Sequence, residues 1–163
     1  MSDANKLTHL DSQGLARMVD VSAKAETLRE AEAEAIVRVG PEVMDAIRNE
    51  RTPKGNIFET ARIAGVMGAK RTSELIPLCH QLNLSHISID MALNDESIVI
   101  RSKARTVGLT GVEMEALTAA SIAALTLYDM LKALSKKLRI DGVRLLYKSG
   151  GRSGIYCAEA DYE

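Results

Sequence analysis

The sequence predicts an α+β fold in which helices cover one face of an antiparallel sheet, and three observations support it. Apolar and polar residues alternate with period 2 around residues 30–39, 87–93 and 98–104, the mark of a half-buried strand. Helix-opening pairs precede two longer apolar segments, Asn56 with Glu59 and Thr110 with Glu113, at the spacing that lets a side chain cap orphan amides. No internal repeat, low-complexity segment or linker divides the chain.

Residues 1–27 show no sustained period and read as an extended N-terminal arm, with Met18, Val19 and Val21 as anchors. Residues 28–163 read as one domain. From Glu30 to Val39 the Glu, Ala and Arg composition suits a helix. Yet Ala31, Ala33, Ala35, Val37 and Val39 alternate with Glu30, Glu32, Glu34 and Arg38, and the period takes precedence, predicting a strand. Pro41 stands where a first helical residue would, so a short helix runs to about Asn49. The segment Arg51-Thr-Pro-Lys-Gly55 interrupts it, and a second helix extends from the Asn56 cap to about Leu75.

Ile87, Ile89, Met91 and Leu93 share one face of the next strand, and Ile98, Ile100, Ser102 and Ala104 one face of its partner. Asn94-Asp95 forms the hairpin turn between them. The long helix opens at Thr110 and ends near Leu138, and Val143–Tyr147 is a short last strand before Lys148-Ser-Gly-Gly-Arg-Ser-Gly154. Strand, helices, strand, strand, helix, strand is the ferredoxin-like split βαβ order.

A chain of 163 residues, 46% hydrophobic, can bury a substantial core. Its 21 basic residues against 22 acidic ones give a net charge of -1, which argues against a surface tuned throughout to nucleic acid or anionic lipid. Two cysteines cannot build a disulfide framework, and the polar start lacks a signal-peptide core, so a cytoplasmic setting is expected. The uncharged run from Ala116 to Tyr128 falls short of the ~20 residues that a membrane helix needs. Val99, Arg101, Lys103 and Arg105 line one face of a strand, a pattern an RNA-binding sheet would show, but that strand has no aromatic residue on which bases stack.

The uncharged run ends abruptly in Asp129 and Lys132, whose spacing puts both on one helical face. They form either a proton-transfer pair or an ordinary exposed ion pair. Lys54 lies in a loop just before the Asn56 cap, where a helix N-terminus attracts anions; Lys70 and Arg71 near the far end of that helix are phosphate ligands or simply good last-turn residues.

Leu75-Ile-Pro-Leu-Cys-His80 places a histidine after a proline-broken turn, as acid, base, donor or structural residue. The Cys79, His80 and His86 spacing matches no standard zinc pattern, and no metal site is expected. Glu113 has a sufficient role in the capping box. Glu115, beside Met114, is therefore the sharper candidate to accept N–H groups of a heterocycle. Glu115 and Asp129 are fourteen residues apart, roughly 21 Å on one helix at ~1.5 Å per residue. A compact ligand reaches both only if the site is long or shared between subunits. The intervening Ala116, Ala119, Ala120, Ser121, Ala123 and Ala124 would permit close packing, which favours an oligomer interface. Lys148 and the following Ser-Gly-Gly-Arg-Ser-Gly offer amides and charge to phosphates or form a flexible turn.

Six segments together closely resemble the MoaC family of molybdenum cofactor biosynthesis: Met18-Val-Asp-Val-Ser-Ala-Lys24, Thr60-Ala-Arg-Ile-Ala-Gly65, Leu75-Ile-Pro-Leu-Cys-His80, Thr110-Gly-Val-Glu-Met-Glu-Ala-Leu-Thr-Ala-Ala120, Leu127-Tyr-Asp-Met130 and Lys148-Ser-Gly-Gly151. The resemblance runs from about Leu7 to Asp161. It implies a lyase acting on 3',8-cyclo-7,8-dihydro-GTP supplied by a radical SAM enzyme. The purine is rearranged into a pyranopterin, a cyclic phosphate forms and diphosphate leaves.

The resemblance also implies a hexamer, a trimer of dimers, with sites between subunits. It places catalytic roles on Asp129, Lys132 and Lys54 and substrate binding on Leu78, Cys79, His80, Met114 and Glu115. Lys24, Arg29, Lys70, Arg71 and Lys148 are the implied phosphate contacts. Gln81 stands where proline is common, and Arg152 where lysine often occurs. No redox cofactor is required for such proton transfers, and magnesium is an optional phosphate counterion.

Overall fold

The computed structural model describes residues 13–159; residues 1–12 of the expected arm, and residues 160–163, lie outside them. The elements are β1 (Thr27–Arg38), α1 (Pro41–Arg48), α2 (Ile57–Lys70), α3 (Thr72–Leu75), β2 (His86–Leu93), β3 (Ser97–Gly108), α4 (Glu113–Leu131), β4 (Arg139–Ser149) and β5 (Tyr156–Cys157). The strands form one antiparallel sheet in the order β2-β3-β1-β4-β5. The first four reproduce the ferredoxin-like order, and β5 is a two-residue addition at the edge.

The period was the right guide for β1. Ala31, Ala33, Ala35 and Val37 are fully buried, because β1 lies between β3 and β4 and its inner face meets α4. Two-sided strand pairing and core burial override the helix propensity of Ala and Glu. On the opposite face, Glu30, Glu32 and Glu34 stand directly across from Arg105, Lys103 and Arg101 of β3. Lys103 reaches Glu32 at 2.8 Å and Glu30 at 3.0 Å, Arg101 reaches Glu34 at 3.2 Å, and Arg105 pairs with Glu30. Arg144 of β4 also meets Glu34, at 3.3 Å. The basic stripe therefore spends its charge on a matching acidic stripe instead of offering a phosphate track.

α4 and α2 cover the inner face. Ala116, Ala119, Ala120, Ala123 and Ala124 are fully buried in this core, so their small size serves packing within the subunit. Gly65 and Gly68 let α2 approach. A Cβ on Gly65 would lie 2.8 Å from the Ala119 carbonyl oxygen and 3.2 Å from Ala123 Cβ, and one on Gly68 would lie 2.8 Å from Ile122. Among the described residues α4 is also the one helix that reaches the length and apolarity of a membrane span, contrary to the shorter run expected, but that apolarity is used against the sheet and α2.

Several boundaries differ from expectation. Asn56 does cap α2, its side chain accepting the Glu59 N–H at 3.1 Å. That helix stops at Lys70, and residues 72–75 form a separate turn of helix. α4 begins at Glu113 with Val112 at its N-cap and no side-chain cap, so the Thr110–Glu113 capping box does not form. It ends at Leu131, well before Leu138, and a turn over residues 132–134 leads toward β4. β4 is longer than the expected 143–147 and includes Lys148, which faces Ala31 across the ladder.

Gly65→Ala should lower stability by roughly 1–3 kcal/mol, because the new methyl meets backbone that cannot step aside. Urea unfolding checks this, and an unchanged midpoint would contradict the close α2–α4 approach.

Candidate functional site

At the N-terminal end of α4, Pro77 occupies the second position of a turn closed by the Cys79 N–H donating to the Ile76 carbonyl at 3.1 Å. The turn delivers Leu78, Cys79 and His80 to a cleft of about 580 Å³ that Met114, Glu115 and Lys24 also line. His80 Nε2 lies 2.8 Å from the Val19 carbonyl oxygen. A carbonyl only accepts, so Nε2 carries the proton, and the arm is tied to the cleft wall through it. Of the expected anchors Val19 and Val21 are half-buried while Met18 is exposed.

Glu115 is only 4% exposed. Burial pushes its carboxyl up to about 7, and the neighbouring Glu113 charge adds to the shift. Burial and Glu115 together also raise the Cys79 thiol, which makes it a poor nucleophile and a suitable neutral wall. This cleft thus holds a carboxyl group that can both accept and release a proton near neutral pH.

A second cleft, of about 660 Å³, adjoins the first and shares Lys24, Thr110, Gly111, Glu113 and Arg152 with it. Arg29 and the Ser149–Ser153 turn complete its walls. Arg29 is 8% exposed, and its Nε and Nη2 donate to the carbonyls of Gly108 and Leu109 at 3.3 and 3.2 Å. Its charge reaches the cleft from a fixed position.

The other end of α4 carries Asp129. Lys132 Nζ lies 2.6 Å from Asp129 Oδ1, and Lys54 Nζ lies 2.8 Å from Oδ2 and 3.0 Å from the Asp129 carbonyl oxygen. Lys54 thereby also satisfies one of the carbonyls a helix leaves open at its C-terminus. The Lys132 ammonium first, and Lys54 second, hold the Asp129 carboxyl down to about 2, and Asp129 in turn raises Lys132. All three side chains are about half exposed.

A model of the MoaC family matches residues 18–151. The chain belongs to the MoaC family. It is also 55% identical over 158 residues to the cyclic pyranopterin monophosphate synthase of Roseiflexus sp. (strain RS-1), covering 96% of this chain and 98% of that relative.

In this MoaC-family chain Lys24, Leu78, Cys79, His80, Met114 and Glu115 meet in one cleft. Lys24 and Arg29 line the adjoining one, and Lys148, part-exposed and not itself among the lining residues, bonds Glu113 and Ser153 of its wall. Lys54, Asp129 and Lys132 meet each other but line neither cleft. Lys70 and Arg71, at the exposed end of α2, enter neither cleft, and Arg71 faces Glu74 at 3.9 Å. Sequence reasoning passed over Glu113 as a cap, although its carboxylate accepts from Lys148 at 3.0 Å. The signal available was Gly111, two residues before it.

The raised Glu115 carboxyl has a consequence for stability. Below about pH 4.5 it is neutral folded or unfolded and costs nothing; between 4.5 and 7 the unfolded chain ionises first, and above 7 the full penalty applies. Glu115→Gln should therefore be more stable than wild type above pH 7, by on the order of 1–2 kcal/mol after solvent screening, with the difference vanishing below pH 4.5. Denaturation curves at pH 4, 6 and 8 check this, and a pH-independent difference would contradict a buried, neutral-leaning Glu115.

Proposed function

We propose that the protein is a cyclic pyranopterin monophosphate synthase, a lyase of molybdenum cofactor biosynthesis. It converts (8S)-3',8-cyclo-7,8-dihydroguanosine 5'-triphosphate to cyclic pyranopterin monophosphate and diphosphate. The observation that carries this is the near full-length identity to the Roseiflexus enzyme, and the two ends of α4 supply chemistry that suits it.

The cleft at the N-terminal end recognises the purine-derived rings. Glu115, as carboxylate or acid, takes part in hydrogen bonds with a guanine-like edge, flanked by Met114, Leu78, Cys79 and His80. The adjoining cationic cleft receives the triphosphate through Lys24, Arg29 and Lys148; Lys70 and Arg71, which lie outside both clefts of one chain, are phosphate contacts only in a site shared between subunits. Positive charge there stabilises the negative charge on the phosphoryl oxygens and the leaving diphosphate as a ribose oxygen attacks the α-phosphorus and the bond to diphosphate breaks. No cofactor is required; magnesium would serve as an optional counterion of the phosphates. The protein's own contribution to phosphate binding is its cations. No redox cofactor enters a scheme of proton transfers and phosphoryl transfer.

Lys54, Asp129 and Lys132 form the proton-transfer end. An aspartate held near 2 stays ionised at neutral pH, so it holds both ammonium groups in place beside the opening and reclosing rings, whose proton transfers this trio carries out. The roughly 21 Å between Asp129 and Glu115 along α4 leads us to place the complete site between subunits, and the resemblance to the MoaC family leads us to propose that they form a hexamer built as a trimer of dimers. We further propose a cytoplasmic enzyme that takes its substrate from a radical SAM enzyme, a setting in keeping with free thiols at Cys79 and Cys157.

Asp129→Asn should keep the fold and oligomeric state while slowing diphosphate release from the cyclised nucleotide by about 100-fold or more. Product mass and diphosphate assays on the purified protein check this. Turnover within a few-fold of wild type would remove Asp129 from the reaction.

A further inference from the structure

Glu113 opens α4 without capping it. Its Oε1 accepts from Lys148 Nζ at 3.0 Å, and the same ammonium lies 3.3 Å from Ser153 Oγ as a second acceptor. The carboxylate is folded back over Gly111. A Cβ at Gly111 would fall inside the contact distance of Glu113 Oε2 and lie 2.9 Å from Oε1. Gly111 is not among the residues of positive φ, so the effect of a side chain there is on space and not on backbone conformation: a Cβ would push the Glu113 carboxylate out of this position.

Glu113 also lines both clefts, which puts its carboxylate at their junction. The turn after Lys148 is seated from another side. Gly150 and Gly151, at φ +96° and +74°, press against the Leu28 carbonyl and the Arg29 guanidinium, where any Cβ would collide.

We propose that Glu113 is a positioning residue: it fixes Lys148, and through Lys148 and Ser153 the Gly150–Ser153 turn, in the geometry that receives the substrate's phosphates, and Gly111 leaves the space its carboxylate occupies. This rests on the reading of the adjoining clefts as one substrate site. An ammonium has three donors; two are engaged by Glu113 and Ser153, and the third is left for a phosphate oxygen. A lysine stem has many rotamers, and fixing it before the ligand arrives removes that ordering cost from binding. Glu113 thereby acts on phosphate affinity through Lys148, in opposition to the repulsion its own charge exerts.

The test uses the full-length protein in its native assembly, comparing wild type, Glu113→Gln, Gly111→Ala, Lys148→Ala and the Glu113→Gln/Lys148→Ala double variant. Steady-state turnover of the cyclised nucleotide and calorimetric binding of inorganic tripolyphosphate are measured for each. Glu113→Gln and Gly111→Ala should each raise KM and weaken tripolyphosphate binding about tenfold, with kcat within about threefold. The double variant should lose no more than Lys148→Ala alone. Gly111→Ala is decisive because it displaces the carboxylate without removing it, and Glu113→Gln gives the same reading should the alanine disturb folding. Unchanged or tighter binding in Glu113→Gln, or additive losses in the double variant, would overturn the positioning role while wild-type turnover leaves the site reading intact. A wild type that neither turns over the nucleotide nor binds tripolyphosphate would overturn both.

Discussion

The packing of α4 between the sheet and α2 is the constraint on which the rest depends. Its alanines are fully buried, and α2 closes on it through glycines at positions 65 and 68. Such contacts leave a helix no freedom to slide or tilt. The two ends of α4 are therefore fixed points, roughly 21 Å apart from Glu115 to Asp129. Each end gathers partners from elsewhere in the chain: the 76–80 turn, Lys24 and the loop after β4 at one, and the 51–56 loop through Lys54 at the other.

The two ends hold their acids in opposite states for opposite reasons. Glu115 is buried, and desolvation keeps its proton available near neutrality. Asp129 is half exposed between two ammonium groups and keeps its charge. A site using both has a carboxyl that shares hydrogen bonds with a heterocycle and a carboxylate that only accepts, which is how environment divides labour between like side chains. Asp129 also sits at a helix C-terminus, where the macrodipole disfavours an anion. Lys54 and Lys132 offset that cost, so the same contacts that stabilise the helix end assemble the reactive trio.

Local patterns made much of this legible. Alternation located β1, β2 and β3, the Asn56 cap and Pro41 located two helix starts, and the abrupt end of the uncharged run pointed to Asp129 and Lys132. What failed was information carried by distant partners. Thr110 and Glu113 have capping spacing, but Lys148, thirty-five residues on, takes the carboxylate. Arg101, Lys103 and Arg105 resemble a free basic stripe until the register sets Glu34, Glu32 and Glu30 opposite them, and register is a property of paired strands. Small residues on α4 signal close packing without naming the neighbour, which is the sheet and α2. Lys54 meeting Asp129 across 75 positions was not readable from spacing; the family resemblance gave both residues catalytic roles without pairing them.

If α4 presents its two ends to two different sites, defects at opposite ends should complement. The direct measurement mixes Asp129→Asn subunits with Glu115→Ala subunits, dissociates and reassembles them, and follows diphosphate release from the cyclised nucleotide. Each variant alone should be nearly inactive, and the mixed oligomers should recover roughly a quarter of wild-type activity, because random pairing makes that share of shared sites free of both changes. Mixtures no more active than the variants, in oligomers shown to exchange subunits, would mean that Asp129 and Glu115 serve one site within one chain.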